Sequence, residues 1–315
     1  MKIKKFFYKK KVYVAGHKGM LGQALIKKLN KYDCKILTVG KSILDLRDQK
    51  KVDLWFKKKK PDYVFLLAAK VGGINANNKF PADFIYDNIM IQTNIIKSSL
   101  EYKVKKLIFL GSSCVYPNNI KRKIKETDLM SGPLEETNKA YAIAKISGLQ
   151  MIKSFRKQYG CNFISAMPCN IYGEHDSFDT YNSHVFPALI KKFIEAKFKN
   201  KKVVQLWGDG TAKREFIYAG DAADALILLM EKYNDDDTIN IGANKDISIM
   251  HLARLIAKIL KYDVKLIFDQ NYPNGTQRKK LSTKKIEKLG WKPKINLDKG
   301  IKIVSRWFIK NHLDY

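Results

Sequence analysis

The chain has 315 residues, 45% hydrophobic and 29% charged, which excludes a disordered or fibrous protein and allows one large or two closely joined domains. Its longest apolar stretches, Val64–Ala69 and Ala225–Met230, fall far short of the roughly 18 residues that would mark a membrane span. Sixty Lys and Arg against 30 Asp and Glu give a formal charge of +30, but only seven of the cations are arginine and the lysines are scattered. That pattern argues against nucleic-acid binding, which gathers arginine and aromatics on one face, and favours small anionic partners.

Along the chain, the basic start to Lys11 runs into Val12–Ala15, too short a stretch for a secretory signal. Short β-branched and aromatic runs then alternate with helical periodicity, the pattern of a parallel α/β sheet. The expected strands are Lys11–Ala15, Lys35–Val39, Tyr63–Ala68, Lys106–Leu110, Asn162–Met167 and Thr238–Ile241. The helical stretches between them are Leu21–Asn30, Asp48–Lys58, Ala82–Tyr102 and Glu135–Tyr159. Beyond Pro168 the rhythm loosens into two strand–helix pieces. Next come an amphipathic helix over Ser248–Leu260 with Ser248 as its N-cap, and a last helix over roughly Leu297–Lys310. Residues 1–172 with about 217–245 are expected to bind a dinucleotide, and 173–216 with 246–315 to form a smaller C-terminal α/β substrate domain. The four cysteines, Cys34, Cys114, Cys161 and Cys169, form no CxxC pair and read as reduced cytoplasmic thiols. No metal site is expected.

The first strand runs directly into Gly16-His17-Lys18-Gly19-Met20-Leu21-Gly22. Three glycines there supply a tight turn, close backbone approach to a pyrophosphate, and close packing of helix on strand. The helix that follows offers unpaired N–H groups to the phosphates. After the second strand comes Lys41, where an acidic residue would hold the ribose hydroxyls of NAD. Lys18 and Lys41 point instead to the 2′-phosphate of NADP(H), although a surface lysine is common in so lysine-rich a chain.

Tyr141 and Lys145 lie four residues apart in an expected helix, hence on one face. A free phenol has a pKa of about 10, and a neighbouring cation is expected to lower it toward use as an acid. Ser112 follows the fourth strand, at the sheet edge where ligands lie in open α/β folds, and can donate to a substrate carbonyl.

Glycine loop, serine at a strand end and Tyr-xxx-Lys, in that order, resemble the extended short-chain dehydrogenase/reductase family over essentially the whole chain. The resemblance runs through to Leu289-Gly290-Trp291-Lys292-Pro293. It implies a Rossmann-type doubly wound parallel sheet and a Ser112, Tyr141, Lys145 reductase triad. Longer strings resemble the members that act on GDP-4-keto-6-deoxy-D-mannose: Ala68-Ala69-Lys70-Val71-Gly72-Gly73-Ile74, Pro81–Tyr86, Gly111-Ser112-Ser113-Cys114-Val115-Tyr116-Pro117 and Asn182-Ser183-His184-Val185. The implied reaction is epimerisation at carbons 3 and 5, served by Cys114 and His184, followed by NADPH reduction of carbon 4. By the same resemblance Leu110, Gly111, Ser112, Ser113, Pro168, Cys169, Asn170 and Ile171 border the nicotinamide end of the cofactor, with Lys145 and His184 nearby. Lys192, Trp207, Arg214 and Asn274 fall at GDP-sugar positions. A homodimer through Ala82–Tyr102 and Glu135–Tyr159 is also implied.

Departures and bland readings stand beside these. Asn274 replaces an aspartate the family often has, and Lys18 and Lys41 stand where arginine is usual, which keeps charge but loses bidentate geometry. Trp207 is open to a reading as packing, Arg214 as a surface ion pair, Cys114 as a small buried residue, and His184 as a structural histidine. Rival functions are another nucleotide-sugar epimerase or reductase and, more remotely, an inactive RNA-binding relative. A 4,6-dehydratase would need an acidic pair that Ser113-Cys114-Val115 does not supply.

Overall fold

A computed structural model describes residues 6–179, 183–272 and 275–313. The first half alternates strand and helix: β1 (Lys11–Ala15), α1 (Met20–Leu29), β2 (Lys35–Leu37), α2 (Gln49–Lys59), β3 (Tyr63–Leu66), α3 (Ile74–Lys79), α4 (Pro81–Glu101), β4 (Lys106–Leu110), α5 (Lys139–Tyr159) and β5 (Phe163–Pro168). The second half holds β6 (Asn170–Tyr172), α6 (Val185–Phe198), β7 (Val203–Trp207), β8 (Lys213–Tyr218), α7 (Ala219–Lys232), β9 (Ile239–Ile241), β10 (Asp246–Ser248) and α8 (Ile249–Ile259). It ends with β11 (Lys265–Asp269), β12 (Arg278–Lys279), α9 (Lys284–Lys288) and α10 (Leu297–His312).

Six strands form one parallel sheet in the order β2-β1-β3-β4-β5-β9. Chain order reverses between β1 and β3, so their carboxyl ends open a crevice of the kind that takes ligands. Helices cover both faces, which explains why strands such as Phe163–Pro168 are buried throughout rather than alternating. A smaller sheet is built on β8, paired with β6, β10 and β12, and β7 pairs with β11.

Local chemistry sets the helix ends. Asp48 caps α2 by accepting from the Lys51 N–H, and Lys57, Lys58 and Lys59 fill its last turn, where cations suit the dipole. Ser248 caps α8, accepting from the His251 N–H. The stretch read as helix from Glu135 begins only at Lys139. The Glu135 carboxylate accepts from the N–H groups of Thr137 and Asn138, which winds Glu136–Asn138 into a 3₁₀ turn instead. The short helix α3 carries no apolar periodicity and was not expected.

One core lies between the six-stranded sheet and its helices; a second joins α6, α8 and α10 to the smaller sheet. The tail does not keep to one side. Leu281, Ile286 and Trp291 pack in the first core, although 246–315 was assigned as a whole to the second domain. Among the described residues no helix is long and apolar enough to cross a membrane. The four cysteines are free thiols.

Candidate active site

The glycine loop leaves β1 at Gly16, whose φ of +91° is left-handed and whose missing Cβ would lie 2.7 Å from the Ala68 backbone nitrogen. A Cβ on Gly22 would run into the Gly16 carbonyl oxygen and sit 2.8 Å from His17 Cα. Gly19, the N-cap of α1, offers no capping side chain, and no acidic residue occupies the first turn. The N–H groups at this end of the helix therefore point at an open position suited to phosphate. Met20 and Leu21 begin the helix, with Leu21 buried against the core.

At the neighbouring strand end, the Lys18 ammonium lies 3.4 Å from where a Gly40 Cβ would stand, so Lys18 reaches across to the residue before Lys41. Asp45, the nearest following carboxylate, is already committed. Arg47 donates to both its oxygens and holds it down to about 2, while also pairing with Asp87. Two cations with no free acid are a fit for a 2′-phosphate and a poor fit for bare ribose hydroxyls. The loop and the lysines thus suit NADP(H).

Beyond β4 the chain turns through Ser112, whose hydroxyl accepts from the Cys114 N–H at 3.4 Å and shares one cavity wall with the Tyr141 phenol and the Cys114 thiol. Lys145 is buried one helical turn on, with Nζ donating to the Leu110 carbonyl at 2.8 Å and 5.8 Å from the Tyr141 ring centroid. Gly111 lies against Met167 and β5. Pro168 ends β5, Cys169 is buried, and Asn170 donates to the Glu215 carbonyl.

Electrostatics differ from the expectation at one point. Burial pushes the Tyr141 phenol well above its ordinary value, the Cys114 charge pushes it further, and only the neighbouring Ser112 hydroxyl acts downward. A buried phenolate is costly, so tyrosine stays protonated, the form a proton donor needs. The same burial pulls Lys145 down to about 8. It also raises the Cys114 thiol, which the Lys279 cation and the neighbouring Ser112 hydroxyl pull back. Partial desolvation at the cavity wall lowers the His184 imidazole, although the residue keeps an exposed face.

Ser112, Ser113, Cys114, Tyr141, Asn170, Ile171, His184, Lys192, Trp207 and Arg214 all line one cavity between the two sheets. The glycine loop, Lys41, Leu110, Gly111, Pro168 and Cys169 lie along the carboxyl edge of the larger sheet rather than on this wall. Lys145 supports the wall from beneath. At the far end Lys192 sits 5.2 Å from the Trp207 ring centroid, and Tyr272 stacks on Trp207 at 4.2 Å. Arg214 donates to the carbonyls of Thr276 and Lys213, and burial draws its pKa down to about 10. Asn274 lies outside the described residues.

Sequence reasoning missed Glu135, Asn77, Asn138 and Lys279, which line the same cavity. β12 runs parallel to β8 with Lys279 opposite Arg214, which sets two cations side by side with Glu135 acting on both. Among 53 lysines nothing in the sequence could single out this one. The chemistry this arrangement can carry is proton delivery to a carbonyl oxygen, proton exchange by a thiol and an imidazole, and retention of an anion.

Residues 12–242 match the model of the NAD dependent epimerase/dehydratase family. The chain is 46% identical over 305 residues to a GDP-L-fucose synthase of Sinorhizobium fredii, covering 97% of each. A GDP-6-OMe-4-keto-L-xylo-heptose reductase from C. jejuni superposes with a TM-score of 0.90 at 35% identity, over 96% of this chain and 99% of that one. A GDP-L-fucose synthetase from Naegleria fowleri bound to NADP gives 0.89 at 28% identity, over 97% and 95%.

Proposed function

The chain belongs to the NAD dependent epimerase/dehydratase family, and from that premise we propose that it converts GDP-4-keto-6-deoxy-D-mannose to GDP-L-fucose. The observation that carries this reading is that Ser112, Tyr141 and Cys114 share one wall of a cavity that ends at Trp207 and Arg214. One wall then serves two chemistries on a single sugar.

In this reading α1 and the glycine loop hold the dinucleotide phosphates, and Lys18 with Lys41 holds the 2′-phosphate. NADPH, when bound, supplies the hydride for carbon 4. Leu110 to Ser113, Pro168 to Ile171, Lys145 and His184 enclose that end. Protons on carbons 3 and 5 are acidic because their removal spreads charge onto the carbon-4 oxygen, where Ser112 and Tyr141 donate hydrogen bonds. Cys114 and His184 remove and return those protons. A thiol and an imidazole, with reference pKa values of about 8.5 and 6.5, can trade protons around neutrality. Tyr141 then gives its proton to the carbon-4 oxygen, with the Lys145 cation beside it. Arg214 and Lys192 hold the diphosphate end, and the Trp207 ring offers a flat face to the base or sugar. Asn274 is assigned to the same substrate end.

Residues 1–172 with about 217–245 form the cofactor side in this scheme, and 173–216 with most of 246–315 the sugar side, while Leu281, Ile286 and Trp291 pack back on the cofactor side. A homodimer through α4 and α5 is supported by exposed Tyr86, Ile143 and Tyr159 on those helices. A cytoplasmic location fits the free thiols.

The test is NADPH oxidation with GDP-4-keto-6-deoxy-D-mannose, followed by product identification. GDP-L-fucose is the expected product. A reduced sugar unchanged at carbons 3 and 5 would move the chain to the simple GDP-sugar reductases, and no oxidation would overturn the reading.

A further inference from the structure

Seven buried side-chain polar atoms among the described residues have no hydrogen-bond partner, and three of them line the active-site cavity: Asn77 Oδ1, Asn138 Oδ1 and Thr276 Oγ1. Buried polar atoms are normally paired, so a cluster facing one cavity marks groups that a ligand completes. Asn77 is the sharpest case. It is 6% exposed, and its Nδ2 donates to the carbonyls of Gly72 at 2.8 Å and Gly73 at 3.0 Å. Both amide hydrogens are consumed by main-chain oxygens, which fixes the amide's orientation and leaves Oδ1 able only to accept. α3, which carries Asn77, packs against the Glu136–Asn138 turn, so the two asparagines belong to one wall.

The ligand group that satisfies Oδ1 must therefore be a donor. Phosphate oxygens and a ketone oxygen only accept. Asn138 stands three residues before Tyr141 on the approach to α5, which brings this wall beside the group that protonates carbon 4. The donors of a 4-keto-6-deoxyhexose nearest carbon 4 are its ring hydroxyls at carbons 3 and 2.

We propose that Asn77 is a specificity-determining residue: its side-chain oxygen accepts a hydrogen bond from a ring hydroxyl of the hexose, with Asn138 beside it, so the pocket selects hydroxylated 4-ketohexoses over their deoxy counterparts. This rests on the GDP-sugar reading above. A site built around a substrate hydroxyl rejects the analogue that lacks it, because the protein acceptor is then left buried and unpaired.

The experiment compares kcat/KM for GDP-4-keto-6-deoxy-D-mannose with its 2-deoxy and 3-deoxy analogues, read as NADPH oxidation, in wild type and Asn77→Ala. Wild type is expected to use at least one deoxy analogue about 10- to 100-fold less well. Asn77→Ala is expected to erase most of that preference, while NADPH affinity by fluorescence stays unchanged. Asn138→Ala should weaken the same preference, and it carries the test if Asn77→Ala does not fold. Equal losses on all three substrates would reduce Asn77 to a structural clamp and overturn the proposal. So would indifference of wild type to both missing hydroxyls, or an effect confined to NADPH affinity. No turnover of the parent substrate by wild type would instead strike the GDP-sugar reading, a separate outcome.

Discussion

Gly22→Ala and Gly19→Ala separate two tasks that one loop performs. At Gly22 an added Cβ would sit 2.8 Å from His17 Cα and closer still to the Gly16 carbonyl, all of it backbone. Ordinary carbon contacts lie at about 3.5–4.0 Å, so loop and helix must part by roughly 1 Å. Overpacking of that kind costs about 1–3 kcal/mol. At roughly 2–4 °C per kcal/mol for a large domain, Gly22→Ala is expected to melt about 2–12 °C below wild type. Gly19 has an extended backbone (φ −73°, ψ 162°), and its added Cβ meets nothing nearer than the Gly16 oxygen at 3.5 Å. Stability should then change by less than about 0.5 kcal/mol, but the methyl group stands where a pyrophosphate approaches α1. A loss of NADPH affinity of about 10-fold or more is expected there. Thermal unfolding without ligand and NADPH titration by fluorescence read the two effects. If Gly19→Ala lost more stability than Gly22→Ala, or bound NADPH as wild type does, the division of labour would be wrong.

Tyr141→Phe removes the proton donor and should slow reduction by at least about 10²-fold with near-normal NADPH binding, measured in single turnover. Lys145, drawn down to about 8 by burial, keeps its cation below that pH and loses it above. The rate of reduction should therefore fall as pH rises through about 8, and a flat profile to pH 10 would remove the cation from the mechanism. Cys114→Ser keeps the size but loses the acidity, so deuterium uptake from heavy water at carbons 3 and 5 should drop sharply while slow direct reduction survives. Wild-type uptake by mass spectrometry would return Cys114 to a packing role. Replacing Lys18 and Lys41 together by alanine should shrink the preference for NADPH over NADH, and the wild-type preference should weaken with salt; an unchanged ratio would assign the phosphate to another group.

The parts legible in the sequence share one property: their chemistry is local. A strand feeding three glycines, or Tyr and Lys four apart, needs no knowledge of the rest of the chain. β4 was read to the residue at Lys106–Leu110, and the Ser248 cap was found where expected. What escaped depends on distant partners. Lys279 becomes notable only because a two-residue strand places it opposite Arg214. Asn77 sits in a six-residue helix without periodicity, and its significance lies in two carbonyls that consume its donors. The phenol of Tyr141 went against expectation for a related reason. A cation four residues away is visible in the sequence, whereas burial, which sets the direction of the shift, is a property of the assembled wall.

The tail that crosses from one core to the other has a consequence for how the protein is made. All six strands of the larger sheet are synthesised by residue 241, yet Leu281, Ile286 and Trp291, each nearly inaccessible, close its core from far downstream. A ribosome delivers the chain from the N-terminus, so the cofactor half waits with apolar surface uncovered until the final stretch emerges. The same tail carries Lys279 to the cavity wall before it turns back to that core. Completion of the sugar pocket thus immediately precedes protection of the nascent sheet, and a chain stopped short of Lys279 would expose a sticky sheet and lack a finished wall together.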